Sequence, residues 1–524
     1  MNISVLDCTL RDGGYCNNWF FGKDNIVKVI NGLLEANIDI IECGFLTNKV
    51  SYDENASKFT KLEQLSMFIP EDKKEKLFVA MMNYGEYDVD NLPECKNTLL
   101  DGIRIAFHKK NWIEALEQAQ KIQKKGYKVF VQAMVSLAYS DEEFLDLIKR
   151  VNQIEPYAFY IVDSFGQMKK KDLIRFLYMV EHNLTETTYI GFHSHNNMQL
   201  AYSNAQSLID FHTHRNLIID ASVYGMGRGA GNLNTELFVE YLNDCAGGNY
   251  NLKPLLIIID EILNGFYEQN YWGYSLPNYL SAKHNIHPNY AGYLDAKKTL
   301  TVEAMDEIFS MMEKDKGYSY DKKYIEELYV KYMESGRVNN SHLEEFKNVI
   351  KNRSILIVGP SRSSLDEKNR ILDFIKKWNP IVISVNFEYE MYQPDFIFVS
   401  NLRRFRDIDS LKWSKCICTS NISVLETYLR IDYKQLMNTQ EAVRDNAGMM
   451  LIQFLINLGV EKFFIAGMDG YSTDPDKNFI NSHMSFYAQK ATFEAMNDGM
   501  AAMIRKYMKK VKIEFVTVPK YFSI

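Results

Sequence analysis

The sequence has no run of about 18 consecutive apolar residues, so no membrane-spanning helix is expected. Its first residues do not show a basic stretch followed by an apolar segment and a cleavage site, so we expect no signal peptide. Basic residues are not in excess, because the formal net charge is -7. An acidic chain repels phosphate backbones, and the composition therefore predicts no nucleic-acid partner.

Cysteine is also sparse, with seven residues scattered along the chain. The nearest pair, Cys416 and Cys418, is separated by one residue, which is the wrong spacing for a zinc knuckle. Free thiols are typical of a reducing compartment, so the sequence predicts a cytoplasmic protein.

What is present is the composition of a globular chain, with 46% hydrophobic and 24% charged residues over 524 positions. This length predicts several domains, or one large barrel with a smaller domain. We expect a barrel over residues 1–250, a helical extension or linker over 251–350, and an α/β domain over 351–524.

Short apolar strands alternate with amphipathic helical segments over about the first 250 residues. Eight such units predict a parallel (β/α)8 barrel. The predicted strands are Ile3–Leu6, Ile38–Phe45, Leu77–Met82, Gly102–Phe107, Lys128–Val135, Ala158–Asp163, Tyr189–His195 and Ile218–Tyr224. The clearest predicted helices are Asn25–Glu35, Trp112–Lys124, Asp141–Val151 and Met198–Phe211.

A new α/β pattern begins at Ser354, where "SILIVGPSRSSL" predicts a buried strand, a turn and a helix. A second strand is expected over Ile381–Asn386, and "AGMMLIQFLINLGVEKFFIAGMDG" predicts a buried helix, a turn and a further strand. We expect a doubly wound, Rossmann-like domain. It has neither a G-x-G-x-x-G motif nor a Walker lysine, which disfavours an NAD site and a P-loop.

Chemistry in such barrels collects at the carboxyl ends of the strands. Arg11 and Asp12 follow strand one, and His193 and His195 are two residues apart at the end of strand seven, on one face. One carboxylate and two imidazoles suit Mn²⁺, Mg²⁺, Co²⁺ or Zn²⁺, and the sequence does not rank these ions. The alternative is that the histidines are ordinary strand residues.

The segment after strand eight, "YGMGRGAGNLNTE", is rich in glycine. Glycines such as Gly227 allow the backbone to approach a ligand closely, and this loop is a common anion site in barrels. The alternative is a tight turn. Asn232 is expected to be either a fourth oxygen ligand or a helix N-cap.

"TLRDGG", "GFHSHNN" and "GMGRGAGN" together resemble the metal-dependent aldolase and lyase (DRE-TIM metallolyase) superfamily over about residues 1–290. That group includes 4-hydroxy-2-oxovalerate aldolase, hydroxymethylglutaryl-CoA lyase and isopropylmalate synthase. The resemblance implies that Asp12, His193 and His195 hold the metal. It further implies that Arg11 polarises the keto or enolate oxygen of the substrate.

The same resemblance implies substrate contacts. Ser164, after Asp163 in "VDSFG", matches a substrate-contacting segment, and Glu42 in "IECGF" matches an acidic residue at the rim. Gly227 is expected to contact substrate through its backbone.

The sequence departs from the family at Tyr15, where the aldolases usually carry a histidine base. Tyrosine, with an ordinary pKa near about 10, is a poor base at neutral pH. Either Tyr15 positions substrate, or another group takes the proton. His284 and His287 are candidates if their segment covers the barrel mouth; the alternative is that they pack a helix and a turn at Pro288.

The implied reaction is that of an aldolase acting through a metal-bound enolate of a 2-oxo acid of the pyruvate type, with an aldehyde as second substrate. A Claisen-type synthase that condenses an acyl-CoA is an alternative, which Gly14 and Tyr15 disfavour because those enzymes usually carry a Glu-Gln type continuation there. A second alternative is a nucleotide-sugar transferase located in the C-terminal domain, with the barrel as scaffold.

The C-terminal domain resembles the nucleotide-binding fold of bacterial CMP-sialyltransferases and pterin pyrophosphokinases. This resemblance implies a nucleotide or nucleotide-sugar pocket, and the alternative is a domain used for assembly. Fusion of the two domains suggests bacterial surface-glycan biosynthesis, and the segment 250–350 suggests a homodimer. The implied pocket residues are Gly359, Ser361, Asn386, Asp469 and His483.

Overall fold

A computed structural model describes residues 2–297, 300–486, 488 and 490–522. The chain forms two compact units. The first comprises Met1–Gly292 with Glu313–Tyr320, and the second comprises Tyr293–Met312 with Asp321–Ile524. Within the described residues, none of the helices combines the length and the apolar character needed to cross a bilayer.

The first unit contains the predicted (β/α)8 barrel. Strands β1 to β8 pair in parallel in chain order, and pairing of β8 with β1 and of β1 with β2 closes the sheet. A two-residue strand, Lys58–Phe59, pairs with β2. The barrel strands are β1 Ile3–Asp7, β2 Ile40–Leu46, β3 Leu77–Asn83, β4 Gly102–Phe107, β5 Lys128–Ala133, β6 Ala158–Asp163, β7 Tyr189–Ser194 and β8 Leu217–Ala221.

Amphipathic helices surround this sheet. The helix Lys23–Glu35 shows the pattern, since it buries Ile26, Val29, Ile30 and Leu33 at helical spacing and exposes its charged residues. The remaining long helices of the barrel are Trp112–Lys124, Asp141–Asn152, Lys170–Asn183, Ala201–Asp210 and Thr235–Cys245, and the shorter ones are Thr9–Asp12, Gly14–Asn17 and Leu62–Ser66.

Three predicted strands end earlier than expected, and local backbone conformation explains two of them. β5 ends at Ala133 because Val135 adopts a left-handed φ of 53°. β8 ends at Ala221, and the chain then forms a 3-10 turn in which Tyr224 has a φ of 59°. β7 ends at Ser194, so His195 lies just beyond the strand.

The segment 251–350 contains a series of helices, which are shared between the two units. One helical stretch contains a π-helical turn, Ile259–Leu263. The α-helices are Leu252–Ile258, Asn264–Gln269, Leu276–Lys283, Pro288–Ala296, Val302–Ser310, Lys314–Gly317, Lys322–Met333 and Leu343–Ile350.

The second unit contains a parallel seven-stranded sheet in the order β13-β12-β11-β10-β9-β14-β15. These strands are β9 Ile355–Val358, β10 Ile381–Val385, β11 Phe396–Val399, β12 Cys416–Thr419, β13 Leu429–Ile431, β14 Lys462–Ala466 and β15 Lys512–Phe515. Its helices are Ser363–Asp366, Lys368–Trp378, Leu402–Arg406, Tyr433–Leu436, Ala447–Asn457 and Lys490–Met508.

Asp7 at the end of β1 is fully buried and links the barrel to its last helix. Its side chain accepts hydrogen bonds from the Thr235 hydroxyl (2.7 Å) and the Thr9 backbone N–H (2.9 Å). Burial nevertheless raises the pKa of Asp7 from 3.8 to about 6, because desolvation outweighs these hydrogen bonds. The folded state therefore holds this proton more tightly than the unfolded chain does.

A raised carboxyl pKa contributes stability at low pH that is lost as the pH rises through the folded-state value. We expect Asp7→Asn to gain stability relative to the wild type between about pH 4 and 6, by up to about 3 kcal/mol. Urea unfolding of both proteins from pH 3.5 to 8 measures the difference. Exposed Asp141→Asn is the control, and a pH-independent difference for Asp7→Asn would contradict the account.

Candidate active site

Asp12, His193 and His195 meet at the carboxyl-terminal mouth of the barrel. One ligand atom from each side chain lies within 4.8 Å of the other two, and all three residues are buried. Asp12 ends the short helix that follows β1, His193 lies in β7, and His195 follows it. The structure thus brings together the three residues predicted as metal ligands.

Asn232 completes this cluster from the loop after β8. Its Nδ2 donates to Asp12 Oδ2 at 2.7 Å, while its Oδ1 is buried and has no hydrogen-bond partner among the described residues. The alternative role as a helix N-cap is wrong, because Asn234 caps the helix Thr235–Cys245. A Cβ at Gly227 would lie 2.2 Å from Asn232 Nδ2 and 2.7 Å from Asp12 Oδ2, so only glycine fits beside this pair.

These residues fit a divalent cation. A carboxylate with two imidazoles is a common ligand set for such ions. His195 Nδ1 and Asn232 Oδ1 are buried without a hydrogen-bond partner among the described residues, which is costly unless another group satisfies them. Burial lowers the pKa of His195 to about 3, so its imidazole is neutral, as metal ligation requires.

Arg11 lies between two carboxylates. Its Nε donates to Glu42 Oε2 at 2.9 Å, and its Nη1 donates to Asp12 Oδ1. Burial alone would raise the pKa of Asp12, but Arg11 and the two histidines hold it well below its usual range. Arg11 Nη2 is buried without a hydrogen-bond partner among the described residues, which leaves one strong donor available to a substrate oxygen.

A second buried arginine extends this network through the barrel interior. Arg104 of β4 is fully buried, with its Nη1 2.8 Å from Glu42 Oε2 and its Nη2 bonded to Asp220 Oδ2. The same Asp220 oxygen lies 2.9 Å from His193 Nδ1. Burial would raise the pKa of Asp220, yet Arg104 and His193 keep it below its usual range. An ionised Asp220 assigns the ring proton to Nδ1 and leaves His193 Nε2 free for a metal.

Sequence reasoning missed Arg104 and Asp220. The available signal was a single charge inside each of two otherwise apolar strands, "GIRIAF" and "LIIDA". Charged residues are almost never fully buried unless they are paired, so these two positions indicated an interior ion pair.

Tyr15 lies beside the loop after β8. Its side chain is 38% exposed, and the Arg228 guanidinium lies 5.3 Å from the centre of its ring. The pKa of the Tyr15 phenol is raised, because desolvation outweighs the opposing charge of Arg228. At neutral pH Tyr15 is therefore a proton donor and not a base.

The segment after β6 is fixed by its own hydrogen bonds. Ser164 is buried and its hydroxyl accepts a hydrogen bond from the Val135 backbone N–H at 2.9 Å. Asp163 accepts hydrogen bonds from the backbone N–H groups of Gln167 and Met168. Burial nonetheless raises the pKa of Asp163 to about 7.

Of the two histidines beyond residue 280, His287 contacts the mouth of the barrel. Its Nε2 lies 3.1 Å from Arg228 Nη1, and its ring lies 5.9 Å from that of Phe165. His284 follows the helix Leu276–Lys283, where its backbone N–H donates to the Leu280 carbonyl. A catalytic role for His284 stays a prediction.

In the second unit, the five predicted nucleotide-binding residues fall into two groups. Asn386 and His483 line a cavity of about 470 Å³. Ser361 and Asp469 instead hydrogen-bond to each other near the ends of β9 and β14. Gly359 lies there too, and a Cβ on it would come within 2.4 Å of the Gly467 carbonyl, so close backbone packing explains this glycine.

Comparison with known proteins places the first unit in a family. The HMGL-like family model matches residues 2–253. A 4-hydroxy-2-oxovalerate aldolase 1 from Dechloromonas aromatica is 30% identical over 246 residues, covering 45% of this chain and 69% of that protein. A 4-hydroxy-2-oxovalerate aldolase from Pseudoalteromonas translucida is 28% identical over 272 residues, covering 51% and 77%.

A solved HMG-CoA lyase from Brucella melitensis is similar at 15% identity with a TM-score of 0.41, covering 49% of this chain and 96% of that one. The sequence relatives and the family model define the class. The chain belongs to the HMGL-like family and is an enzyme of the aldolase and lyase class, whose activity depends on a divalent metal.

Loss of Arg104 is expected to destabilise the folded protein, because Arg104 pairs with two buried carboxylates. Arg104→Met would remove the shared cation between two buried carboxylates, leaving Glu42 with Arg11 alone and Asp220 with the His193 imidazole alone. We therefore expect a loss of about 3–5 kcal/mol in the free energy of unfolding, measured by urea denaturation. Adding Glu42→Gln and Asp220→Asn to Arg104→Met should recover part of that loss. A change below about 1 kcal/mol for Arg104→Met would contradict the network.

Asp220→Asn is expected to weaken metal binding by about 10- to 100-fold, because His193 loses the anion that fixes its ring proton on Nδ1. Calorimetric titration of Mn²⁺ into chelator-stripped protein measures the affinity. Exposed Asp210→Asn is the matched control. Unchanged affinity in Asp220→Asn would show that His193 does not depend on this carboxylate.

Proposed function

We propose that the barrel catalyses the reversible aldol reaction between a 2-oxo acid of the pyruvate type and an aldehyde. The observation that carries this proposal is the buried cluster of Asp12, His193 and His195 beside the free donor of Arg11. The relatives named as 4-hydroxy-2-oxovalerate aldolases support the same reaction class.

The proposed metal ligands are Asp12, His193 and His195, with Asn232 Oδ1 as the fourth ligand. Mn²⁺ or Mg²⁺ is the proposed ion, with Co²⁺ and Zn²⁺ as alternatives. A bound divalent ion supplies Lewis-acid polarisation of the keto group. The neutral imidazole of His195 and the ionised Asp12 are already in the protonation states that such an ion needs, and Asp220 leaves His193 Nε2 free for it.

Arg11 is the proposed stabiliser of the negative oxygen that develops on the oxo acid. Glu42 and Asp12 hold two edges of its guanidinium, so the remaining nitrogen, Nη2, is oriented before substrate arrives. Donors that are fixed in advance stabilise a transition-state oxyanion more than mobile ones do. Ser164 and Gly227 are proposed substrate contacts at the same mouth.

In the cleavage direction a base takes the proton of the 4-hydroxyl group, and the bond between carbons 3 and 4 breaks. Its electron pair goes to the enolate, the aldehyde leaves, and a proton returned to carbon 3 gives the methyl group. Tyr15, which is protonated at neutral pH, suits the proton-donating step. His284 stays the proposed base.

A Claisen-type condensation of an acyl-CoA is the runner-up for the barrel, and no contact in the described site favours it. Nucleotide or nucleotide-sugar binding in the second unit also stays a prediction, as do its doubly wound fold and a role in surface-sugar biosynthesis. The cavity there is lined by Glu388, Glu390, Asp407 and Asp409 against Arg404 and Lys412, a charge balance that disfavours an anionic ligand. A cytoplasmic location and a homodimer are likewise predictions.

Enolisation of pyruvate is the first step to test. We expect the protein loaded with Mg²⁺ to exchange the methyl protons of pyruvate in D₂O, followed by NMR, with and without glycolaldehyde present. His193→Ala and chelator treatment should abolish exchange, while exposed His182→Ala should retain it. Metal binding without any exchange by the wild type would exclude pyruvate as the donor.

A further inference from the structure

Arg228 contributes a half-buried guanidinium at the mouth of the barrel. It lies in the loop after β8, four residues before Asn232. It forms no ion pair with an aspartate or glutamate among the residues that the structure describes, and its Nε is buried without a hydrogen-bond partner there. Its only described hydrogen-bond acceptor from the protein backbone is the Ser164 carbonyl, at 3.2 Å from Nη2.

Arg228 and His287 approach each other through two hydrogen-bond donors, the Nη1 group of Arg228 and the Nε2 group of His287. The backbone N–H of Asn289 donates to His287 Nδ1 at 3.2 Å, which assigns the proton of the neutral ring to Nε2. Nε2 lies 3.1 Å from Arg228 Nη1, a group that can only donate. Two donors this close are satisfied together by an anionic oxygen that accepts a hydrogen bond from both.

The surroundings of Arg228 are also suited to an anion. The Tyr15 ring packs against the guanidinium at 5.3 Å and presents a phenol that stays protonated. His108 and Lys110 follow the carboxyl end of β4, and the charge of Arg228 reaches His108, whose pKa is lowered by burial, by Lys110 and by Arg228. Donors and cations thus predominate at this position. The charges of Glu86 and Asp12 also reach Tyr15, but these carboxylates are paired with Lys49 and Arg11.

The position fits a second substrate and not the oxo acid itself. The keto oxygen of the oxo acid is assigned above to the metal cluster and Arg11, and its carboxylate is assigned here to the same cluster, because a 2-oxo acid can present both oxygens to one divalent ion. Arg228 nevertheless borders the metal cluster, because it directly follows Gly227, where an added Cβ would lie only 2.7 Å from Asp12 Oδ2. An aldehyde that reacts at the metal cluster would therefore have its far end within the range of Arg228.

We infer that Arg228 and His287, with Tyr15, form an anion subsite, and that the aldehyde acceptor of this enzyme carries a carboxylate or a phosphate group. The inference rests on the proposed aldol function. The acceptor's charged end binds at the subsite, and its aldehyde carbon forms the new bond to the methyl carbon of the oxo acid. That methyl carbon loses one proton and the aldehyde oxygen gains one, so the reaction consumes no other reactant.

The test compares charged and neutral acceptors in the condensation with pyruvate. Succinic semialdehyde is paired with its amide, and glycolaldehyde phosphate with glycolaldehyde, which separates carboxylate from phosphate recognition. We expect the anionic member of at least one pair to have a kcat/KM at least about tenfold higher. Arg228→Gln should abolish that preference mainly through KM, Arg228→Lys should keep part of it, and exposed Arg175→Gln should change neither.

Pyruvate methyl exchange shows whether Arg228 acts on the aldehyde acceptor or on the oxo acid, because exchange needs no acceptor. Arg228→Gln should exchange pyruvate at the wild-type rate, and an equal loss of exchange and condensation would place Arg228 on the oxo acid and overturn the inference. Equal use of charged and neutral acceptors by the wild type would overturn it as well.

If the protein shows no aldol activity, ligand-observed NMR tests whether the anion subsite exists. Binding of succinic semialdehyde or glycolaldehyde phosphate to the wild type, lost in Arg228→Gln, would keep the subsite and reject the proposed function. Binding that is the same in both proteins, or absent from both, would reject the subsite.

Discussion

The site depends on a chain of alternating charges buried inside the barrel. Each guanidinium in it lies between two carboxylates, and none of its ionic members is left without a partner of opposite charge. In order, the charges are those of Asp12, Arg11, Glu42, Arg104 and Asp220, and the chain ends at the imidazole of His193, which hydrogen-bonds to Asp220. Removing one ionic member is costly, because each neighbouring charge then loses a buried partner of opposite charge.

The buried charges connect the strands of the barrel to the residues proposed to act on the substrate. β4 supplies Arg104, β2 supplies Glu42 and β8 supplies Asp220, so three strands hold the charges that fix Arg11 and His193. Side chains on strands are positioned more firmly than side chains on loops. Strand residues therefore hold Arg11 and His193, which are proposed to act on the oxo acid. The residues proposed to contact the aldehyde, such as Arg228, lie on loops.

The barrel could be predicted from the sequence because the spacing of apolar residues differs between strands and helices. The predicted strand Gly102–Phe107, for example, has the same bounds in the structure. Asp12, His193 and His195 could be predicted because they lie at or just beyond the carboxyl ends of strands, where barrel sites collect. The interior pair of Arg104 and Asp220 could not be placed, since their contact joins strands 116 residues apart. Likewise, nothing in the spacing of His284 and His287 shows which one meets Arg228.

The most direct test of the central claim is electron spin echo spectroscopy of Mn²⁺ bound to the protein. Binding at Asp12, His193 and His195 predicts one ion per chain, with nuclear coupling from two imidazole nitrogens. Asp12→Asn should weaken this binding, and adding pyruvate should perturb the signal while the nitrogen coupling persists. A bound ion without nitrogen coupling, or no bound ion, would contradict the account.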